Sequence, residues 1–250
     1  MFTNKGVVIT GGNHGIGKQI CLDYLEAGAK ICMIDMNANL DEALIHPNLY
    51  FFHGDIASKN VLDEFIQFSK KTLDTIDILI NNACLSKKGL LSNCSYEDFD
   101  YVLSVGIKAP YELTRQLQFD LKKNKGCIIN IASSRSFQSQ PNTESYSVVK
   151  GGITALTHSS AMSLAPDVRV NAIAPGWIDC YETLEFSLED KMSIPVGRVG
   201  VPKDISDLTL FLTSDKAGFI HGETYVVDGG MSKQMIYHDD YGWNFCGNHE

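Results

Sequence analysis

A tyrosine and a lysine in the segment SYSVVKGG are four positions apart and could act together in proton transfer. Tyr146 and Lys150 would lie on one face of a helix, one turn apart. An ammonium group near a phenol stabilises the phenolate, so such a tyrosine can donate a proton to a substrate oxygen or accept one from it. The same two residues could instead be a half-buried tyrosine and a surface lysine. The elements around the pair decide between these interpretations.

Short apolar runs alternate with amphipathic stretches along the chain, which predicts a doubly wound (Rossmann) α/β fold with helices on both faces of a parallel sheet. The predicted strands are GVVIT, KICMID, LYFFHG, IDILIN, GCIINIAS, DVRVNAIAP and ETYVVDGG. The predicted helices are Gly15 to Ala27, Asn60 to Thr72 with Ser58 as its cap, Ser95 to Leu121, one opened by SYSVVK, and Pro202 to Leu212. No linker or repeat interrupts the pattern, so we expect a single domain over residues 1–250, with 231–250 as a C-terminal tail extension.

Composition excludes several classes of partner. The chain has 250 residues and a net charge of −9, which argues against nucleic acid and anionic membranes as partners. We find no apolar run long enough to span a membrane, no signal peptide and no metal-ligand spacing of histidines, so we expect neither a membrane partner nor a metal. The seven cysteines contain no C-x-x-C pair, and free thiols in a reducing cytoplasm fit them better than disulfides.

The segment TGGNHGIG follows the first predicted strand directly and opens the first helix. Glycines in that position permit a tight turn and let the backbone approach a pyrophosphate, whose charge then lies against the helix N-terminus. An ordinary glycine-rich turn is the alternative, but the strand-turn-helix context favours phosphate binding. The residues that we expect to contact the cofactor here are Gly11, Asn13, Gly15, Ile16 and Gly17.

An acidic residue ends the second predicted strand. Asp35 stands where a carboxylate can accept hydrogen bonds from the adenosine ribose hydroxyls of a dinucleotide. A carboxylate in that place repels a 2′-phosphate, and no Arg or Lys occupies the glycine-rich turn or the two positions after Asp35. We therefore expect NAD as cofactor in preference to NADP, the alternative being that Asp35 is only a solvated strand end.

From Thr10 to Gly230 the chain resembles the short-chain dehydrogenase/reductases. The matching pieces come in family order: TGGNHGIG, GDI at 54–56, NNA at 81–83, Ser133, YSVVK, NAIAPG at 171–176 and VDGG at 227–230. The resemblance implies hydride transfer between NAD(H) and a small-molecule secondary alcohol or ketone, with Tyr146 as acid and base. It also implies a homotetramer.

The resemblance implies roles for further residues. Asp55 and Ile56 would hold the adenine, and Asn82 would contact the adenosine ribose through its backbone. Pro175, Gly176 and Ile178 would line the nicotinamide. Ser133, Tyr146 and Lys150 would be catalytic, with Ser133 holding the substrate oxygen and Lys150 also holding the nicotinamide ribose.

Three positions depart from the family pattern. Gly106 stands where the family usually has an Asn that helps to hold a water linked to the lysine, Cys84 replaces a Gly, and Cys180 replaces a Thr. Either the Gly106 backbone still positions that water or proton relay is impaired. These departures leave a second hypothesis open, in which the chain is a catalytically weak NAD-binding scaffold or sensor.

Two further segments bear on the substrate and on partners. The segment between Gly176 and Arg198 is where the family has a substrate lid, and we expect its acidic residues (Glu182, Glu185, Glu189, Asp190) to form a solvated face. Arg135 could pair with an acidic substrate group or form a structural salt bridge. The tail is rich in apolar side chains (Met235, Ile236, Tyr237, Tyr241, Trp243, Phe245), which we expect to dock on the lid or on a neighbouring subunit.

Overall fold

The computed structural model describes residues 2–87, 89–181, 185–237 and 240, and it contains one seven-stranded sheet. All paired strands are parallel, in the order β3-β2-β1-β4-β5-β6-β7, which confirms the predicted doubly wound fold. The strands are β1 Gly6–Thr10, β2 Lys30–Asp35, β3 Leu49–His53, β4 Ile78–Asn81, β5 Cys127–Ile131, β6 Arg169–Pro175 and β7 Thr224–Val227. The helices are α1 Gly15–Glu26, α2 Lys59–Thr72, α3 Tyr96–Leu103, α4 Ala109–Lys123, α5 Glu144–Leu164, α6 Leu188–Met192 and α7 Pro202–Thr213.

The central strand β1 shows why its sequence is apolar on both faces. Val7 and Ile9 point to the side of the sheet that carries α1 and α7, where Ile205 belongs to the same buried cluster. Val8 points to the opposite side, into the cluster that contains Leu113 of α4. Since side chains alternate along a strand, a sheet covered on both faces requires apolar residues at successive positions.

The helix predicted from Ser95 to Leu121 is interrupted by one π-helical turn, Ser104–Lys108, between α3 and α4. The Ser95 hydroxyl caps its start by accepting a hydrogen bond from the Asp98 N–H at 3.0 Å. Pro110 has no N–H to donate to the Gly106 carbonyl four residues earlier, so a uniform α-helical ladder cannot continue through this segment. Ser58 does precede α2, but its side chain makes no capping bond.

The amino ends of the strands are tied together by buried polar contacts. Asp77, just before β4, accepts hydrogen bonds from the Lys5 ammonium at 2.8 Å and the Gly6 N–H at 2.9 Å. Arg169, at the start of β6, donates to the Leu212 carbonyl near the end of α7 at 2.7 Å. These contacts lie at the amino ends of the strands. Ligands bind at the opposite, carboxyl ends in folds of this type.

The predicted lid segment contains the short helix α6. The Ser187 hydroxyl accepts from the Asp190 N–H and the Asp190 carboxylate accepts from the Ser187 N–H, which forms a capping box. Glu185 and Glu189 are exposed, in agreement with the predicted solvated face. Glu182 lies outside the described residues.

The tail begins with a short 3-10 turn, Met231–Lys233, and its next apolar side chains are exposed (Met235, Ile236 and Tyr237). Tyr241, Trp243 and Phe245 lie outside the described residues, so docking of the tail stays a prediction. Within the described ranges, no helix combines the length and apolar character needed to cross a bilayer.

Candidate active site

A cavity of about 470 Å³ lies at the carboxyl ends of the strands. All the site residues predicted from the sequence line it, except Asn13: Gly11, Gly15, Ile16, Gly17, Asp35, Asp55, Ile56, Asn82, Ser133, Tyr146, Lys150, Pro175, Gly176 and Ile178. The parallel sheet brings these residues together because each ends a strand, follows one, or lies in the first two turns of the next helix.

The glycine-rich turn fits a diphosphate. Gly11 and Gly15 have φ values of +67° and +53°, a conformation that residues with a Cβ rarely adopt. A Cβ on Gly17 would lie 2.0 Å from the Gly11 carbonyl oxygen, so only glycine allows α1 to begin this close to β1. His14 precedes α1 without a side-chain capping bond, and no acidic residue lies in the first turn. The helix N-terminus therefore presents backbone N–H groups to an anion.

The neighbouring strand holds this turn in place. The Asn82 side-chain amide donates to the carbonyl oxygens of Thr10 at 3.1 Å and Gly11 at 2.8 Å. The Thr10 hydroxyl accepts from the N–H groups of Asn82 at 3.2 Å and Ala83 at 3.1 Å. Asn82 thus positions the turn through its side chain, whereas the ribose contact expected of its backbone stays a prediction.

Asn13 is the one predicted site residue that does not line the cavity, so its contact with a cofactor stays a prediction. Its amide nitrogen donates to the Asn39 carbonyl at 2.8 Å, and its amide oxygen accepts from the Asp41 N–H at 2.9 Å. Both polar atoms of the side chain therefore serve the loop that follows β2. Asn13 acts on the site indirectly, since its backbone N–H donates to the Asp35 carboxylate at 3.1 Å.

The Asp35 carboxylate is held at the end of β2 by backbone donors. The Asn37 N–H binds its second oxygen at 3.0 Å, and the carboxylate remains half-buried at the cavity wall. A carboxylate oxygen accepts more than one hydrogen bond, so both can still receive ribose hydroxyls. Lys18, just after the glycine turn, pairs with Asp41 at 2.7 Å, and this contact lowers the pKa of Asp41. Among the described lining residues, Lys150 is the only lysine or arginine.

Tyr101 is a site residue that the sequence did not reveal. It lines the cavity from α3, and its hydroxyl donates to the Asp55 carboxylate at 2.8 Å. Burial is the larger cause, and the hydrogen bond to Asp55 the smaller one, of a pKa of Tyr101 that is raised to about 12. The phenol therefore remains a donor at neutral pH. No local spacing signals this contact, because the two residues are 46 positions apart.

Lys150 is buried, with 3% of its surface exposed, and its ammonium lies over the ring of Tyr146 at 5.5 Å from the centroid. The ammonium donates to the Ile131 carbonyl, the last of β5, at 2.6 Å. Within the described residues this is its only hydrogen bond, although an ammonium has three donors. Because an unsatisfied buried charge is costly, the remaining donors fit hydroxyl groups of a bound cofactor ribose.

Ser133 follows Ile131 by two positions and is also buried. Its hydroxyl oxygen accepts from the Arg135 N–H at 3.2 Å, which leaves the hydroxyl proton available to a ligand oxygen. The Ser136 hydroxyl donates to the Lys150 carbonyl at 2.8 Å and so ties the turn after β5 to α5. Ser133, Tyr146 and Lys150 consequently line the same cavity, as predicted.

The Gly106 departure has a packing explanation. A Cβ on Gly106 would lie 2.2 Å from the Cγ1 of Val149, the buried neighbour of Lys150. The π-helical turn therefore contacts α5 so closely that Val149 occupies the space a side chain at 106 would need. The valine opposite position 106 therefore favours glycine there, whatever the effect on a bound water.

The two cysteine departures also line the cavity. Cys180 accepts a hydrogen bond from the Ile16 N–H, and a Cβ on Gly15 would lie 2.9 Å from the Cβ of Cys180. Burial raises the pKa of the Cys180 thiol, so the thiol stays neutral and adds no negative charge beside the glycine-rich turn. In the described part of the chain, no group of side chains has the arrangement of a metal site.

Comparison with known proteins agrees with this geometry. Residues 11–232 match the family model described as Enoyl-(Acyl carrier protein) reductase. An uncharacterized oxidoreductase from Thermotoga maritima is 38% identical, over 96% of this chain and 100% of that protein. A 3-oxoacyl-[acyl-carrier-protein] reductase from Chlamydia trachomatis is 30% identical, over 93% of this chain and 99% of that protein.

Two solved structures are similar over nearly their whole length. An apo SCOR enzyme from Clostridium thermocellum is 55% identical with a TM-score of 0.91, and the match covers 98% of this chain and 100% of that one. A 3-ketoacyl-(acyl-carrier-protein) reductase from Brucella melitensis, solved with NADH, is 29% identical with a TM-score of 0.85. That match covers 92% of this chain and 99% of that one.

The contact between Gly106 and Val149 predicts opposite effects for two Gly→Ala substitutions. Gly106→Ala should lower the free energy of unfolding by about 1–2 kcal/mol through overpacking, despite the better helix propensity of alanine. Gly151 lies in α5, two positions after Val149, and nothing lies within 4 Å of a Cβ added there. Gly151→Ala should therefore raise the free energy of unfolding by about 0.5–1 kcal/mol. Denaturant unfolding measures both.

The double variant Gly106→Ala/Val149→Ala provides the control. In the Val149→Ala background, adding Gly106→Ala should no longer destabilise the chain. A destabilisation of equal size in both backgrounds would contradict the packing explanation.

Proposed function

Because the chain belongs to the short-chain dehydrogenase/reductase family, we propose that it transfers hydride between NAD(H) and a secondary alcohol or ketone. One observation carries the proposal: the Lys150 ammonium lies over the Tyr146 ring in the cavity that Ser133 also lines. The same cavity is bordered by the glycine-rich turn, where the N-terminus of α1 suits the negative charge of a dinucleotide.

In the proposed mechanism, the Tyr146 hydroxyl gives a proton to the carbonyl oxygen in reduction and takes it from the alcohol in oxidation. The Lys150 charge stabilises the phenolate that remains after the proton leaves. The Ser133 hydroxyl donates a hydrogen bond to the same substrate oxygen and so fixes its position. The nicotinamide cofactor, when bound, supplies or accepts the hydride.

We propose NAD as the preferred cofactor. The half-buried Asp35 carboxylate can accept ribose hydroxyls, and it would repel a 2′-phosphate in the same place. Lys18, which directly follows the glycine-rich turn, is already paired with Asp41. The similar reductase from Brucella melitensis was solved in complex with NADH.

The alternative of a catalytically weak scaffold or sensor depended mainly on Gly106. Since the packing of Val149 favours glycine at position 106, the presence of Gly106 does not by itself indicate lost catalysis. Ser133, Tyr146 and Lys150 are all in the cavity, and a cofactor sensor would not need the three together. The enzymatic function is therefore the better supported one.

We also propose that residues 1–250 act as one catalytic domain with a tail at 231–250, and that four chains assemble. The outer surfaces of α4 and α5 carry exposed apolar side chains that a second copy of the chain would cover (Tyr111, Phe119, Val148 and Met162). A cytoplasmic location is in keeping with the free thiols of the described cysteines.

Replacing the catalytic phenol tests the proposed chemistry. Tyr146→Phe should reduce turnover of an alcohol or ketone by about 100- to 10,000-fold, because the proton donor is lost. NADH binding, measured by fluorescence titration, should persist. Tyr96→Phe, which alters an exposed tyrosine at the start of α3, should leave turnover unchanged. Activity that survives Tyr146→Phe would refute the assignment.

Cofactor preference can be measured directly by titrating the protein with NADH and NADPH. We expect NADH to bind at least about tenfold more tightly, because Asp35 opposes the 2′-phosphate. Asp35→Asn should narrow this difference mainly by improving NADPH binding. Tighter binding of NADPH to the unaltered chain would overturn the preference for NAD.

The oligomeric state is tested by light scattering on the purified chain. We expect the mass of four chains, because the apolar surfaces of α4 and α5 are costly to leave in water. Phe119→Asp, which places a charge on that surface, should produce smaller particles. A monomer mass for the unaltered chain would contradict the tetramer.

A further inference from the structure

Arg135 lies in the 3-10 turn Ser134–Ser136, directly after the catalytic serine. Its N–H binds the Ser133 hydroxyl at 3.2 Å, and the Ser136 N–H binds the Ser133 carbonyl at 2.9 Å. The Ser136 hydroxyl joins the turn to α5 through the Lys150 carbonyl. The backbone of Arg135 is therefore fixed by contacts with the catalytic residues on both sides.

The guanidinium of Arg135 lies against the ring of the catalytic tyrosine. Its central carbon is 5.6 Å from the Tyr146 ring centroid, nearly the same distance as the Lys150 ammonium at 5.5 Å. Tyr146 is thus in contact with two cations, one buried beneath the site and one partly exposed to solvent. A group bound to this guanidinium would lie next to the residue that exchanges a proton with the substrate.

The charge of Arg135 has no anionic partner in the described residues. Its side-chain hydrogen bond goes to the neutral amide oxygen of Gln140, and no described carboxylate lies within 4.0 Å. By contrast, Arg115 pairs with Glu112 and Arg198 pairs with Asp204. Arg169 also has no carboxylate partner in the described residues, but its guanidinium donates to two backbone carbonyls. The predicted alternative of a structural salt bridge is therefore not found in the described part of the chain.

A guanidinium has five N–H donors in a planar fork that matches carboxylate and phosphate oxygens. One nitrogen of Arg135 is engaged by Gln140, which leaves donors on the other nitrogens available. The protein has 30 acidic residues and a net charge of −9, yet none of the described acids neutralises this arginine. Arg135 is not among the residues that line the cavity, but its guanidinium contacts the ring of Tyr146, which does line it. The position therefore suits an anion on the part of a ligand that extends past Tyr146.

We propose that Arg135 determines specificity by binding an anionic group, carboxylate or phosphate, on the substrate within a few bonds of the reacting carbon. The substrate class is then a short hydroxy acid and its oxo acid, or a phosphorylated hydroxy compound and its ketone. This inference rests on the proposed function, since it assumes that Tyr146 contacts the reacting oxygen. Stacking of Arg135 on Tyr146 without any ligand contact is the competing role.

Matched substrates separate the two roles. With NADH, we would compare kcat/KM for 3-oxobutanoate and its methyl ester, for 4-oxopentanoate and its methyl ester, and for hydroxyacetone phosphate and hydroxyacetone. The unaltered protein should prefer the anionic member of at least one pair. Preference in the phosphate pair alone, or in a carboxylate pair alone, identifies which anion the site takes.

Arg135→Gln removes the charge but keeps a polar side chain. It should lower kcat/KM for the preferred anionic substrate by about 10- to 100-fold more than for the neutral member, mainly through KM. A loss shared by both members would report only the lost contact with the Tyr146 ring. Arg135→Lys should retain part of the preference, because it keeps the charge and loses the fork. Lys216→Gln removes one charge at a remote exposed position and should change neither member.

Thermal unfolding and NADH titration would show that each variant is folded. If Arg135→Gln does not fold, the preference of the unaltered protein and its competitive inhibition by carboxylates and inorganic phosphate test the same inference. Equal use of both members of every pair, or an equal loss for both in Arg135→Gln, would overturn it. Absence of any hydride transfer, or transfer that survives Tyr146→Phe, would instead refute the proposed function.

Discussion

The hydrogen bond from the Lys150 ammonium to the Ile131 carbonyl holds the centre of the site together. It joins the end of β5 to α5, and it fixes the charge over the Tyr146 ring. A buried ammonium without partners would cost several kcal/mol, so this geometry is strongly favoured over one in which the amine turns away. Ser133 follows Ile131 by only two positions, which places its hydroxyl beside the same pair.

The parallel sheet supplies the second constraint. The carboxyl ends of its strands all lie on one side of the sheet, so residues from distant parts of the chain meet there without long connecting loops. The glycine-rich turn follows β1, Asp35 ends β2, Asn82 follows β4, and Pro175 ends β6. The helices cover and stabilise both faces of the sheet, and the carboxyl ends of the strands remain available to ligands. The proposed chemistry therefore depends on the topology as much as on any single residue.

The sequence predicted those features whose cause is local. The structure contains the predicted strand, glycine-rich turn and helix in order, and it places Tyr146 and Lys150 one turn apart on α5. The contacts of the Asn13 side chain with residues 39 and 41 could not be predicted, since only the fold brings the loop after β2 to the glycine-rich turn. Tyr101 could not be predicted, since its partner is 46 positions away. The reason for Gly106 depends likewise on a tertiary contact, with Val149.

The amino and carboxyl ends of the strands are far apart, which has a consequence for attaching labels to the protein. Lys5, Asp77 and Lys125 lie at the amino ends of the strands, while the candidate active site is at the carboxyl ends. A tether attached to the exposed side chain of Lys125 would project from the face remote from that site. The chain can consequently be immobilised or labelled from that side with its cavity left open to small molecules.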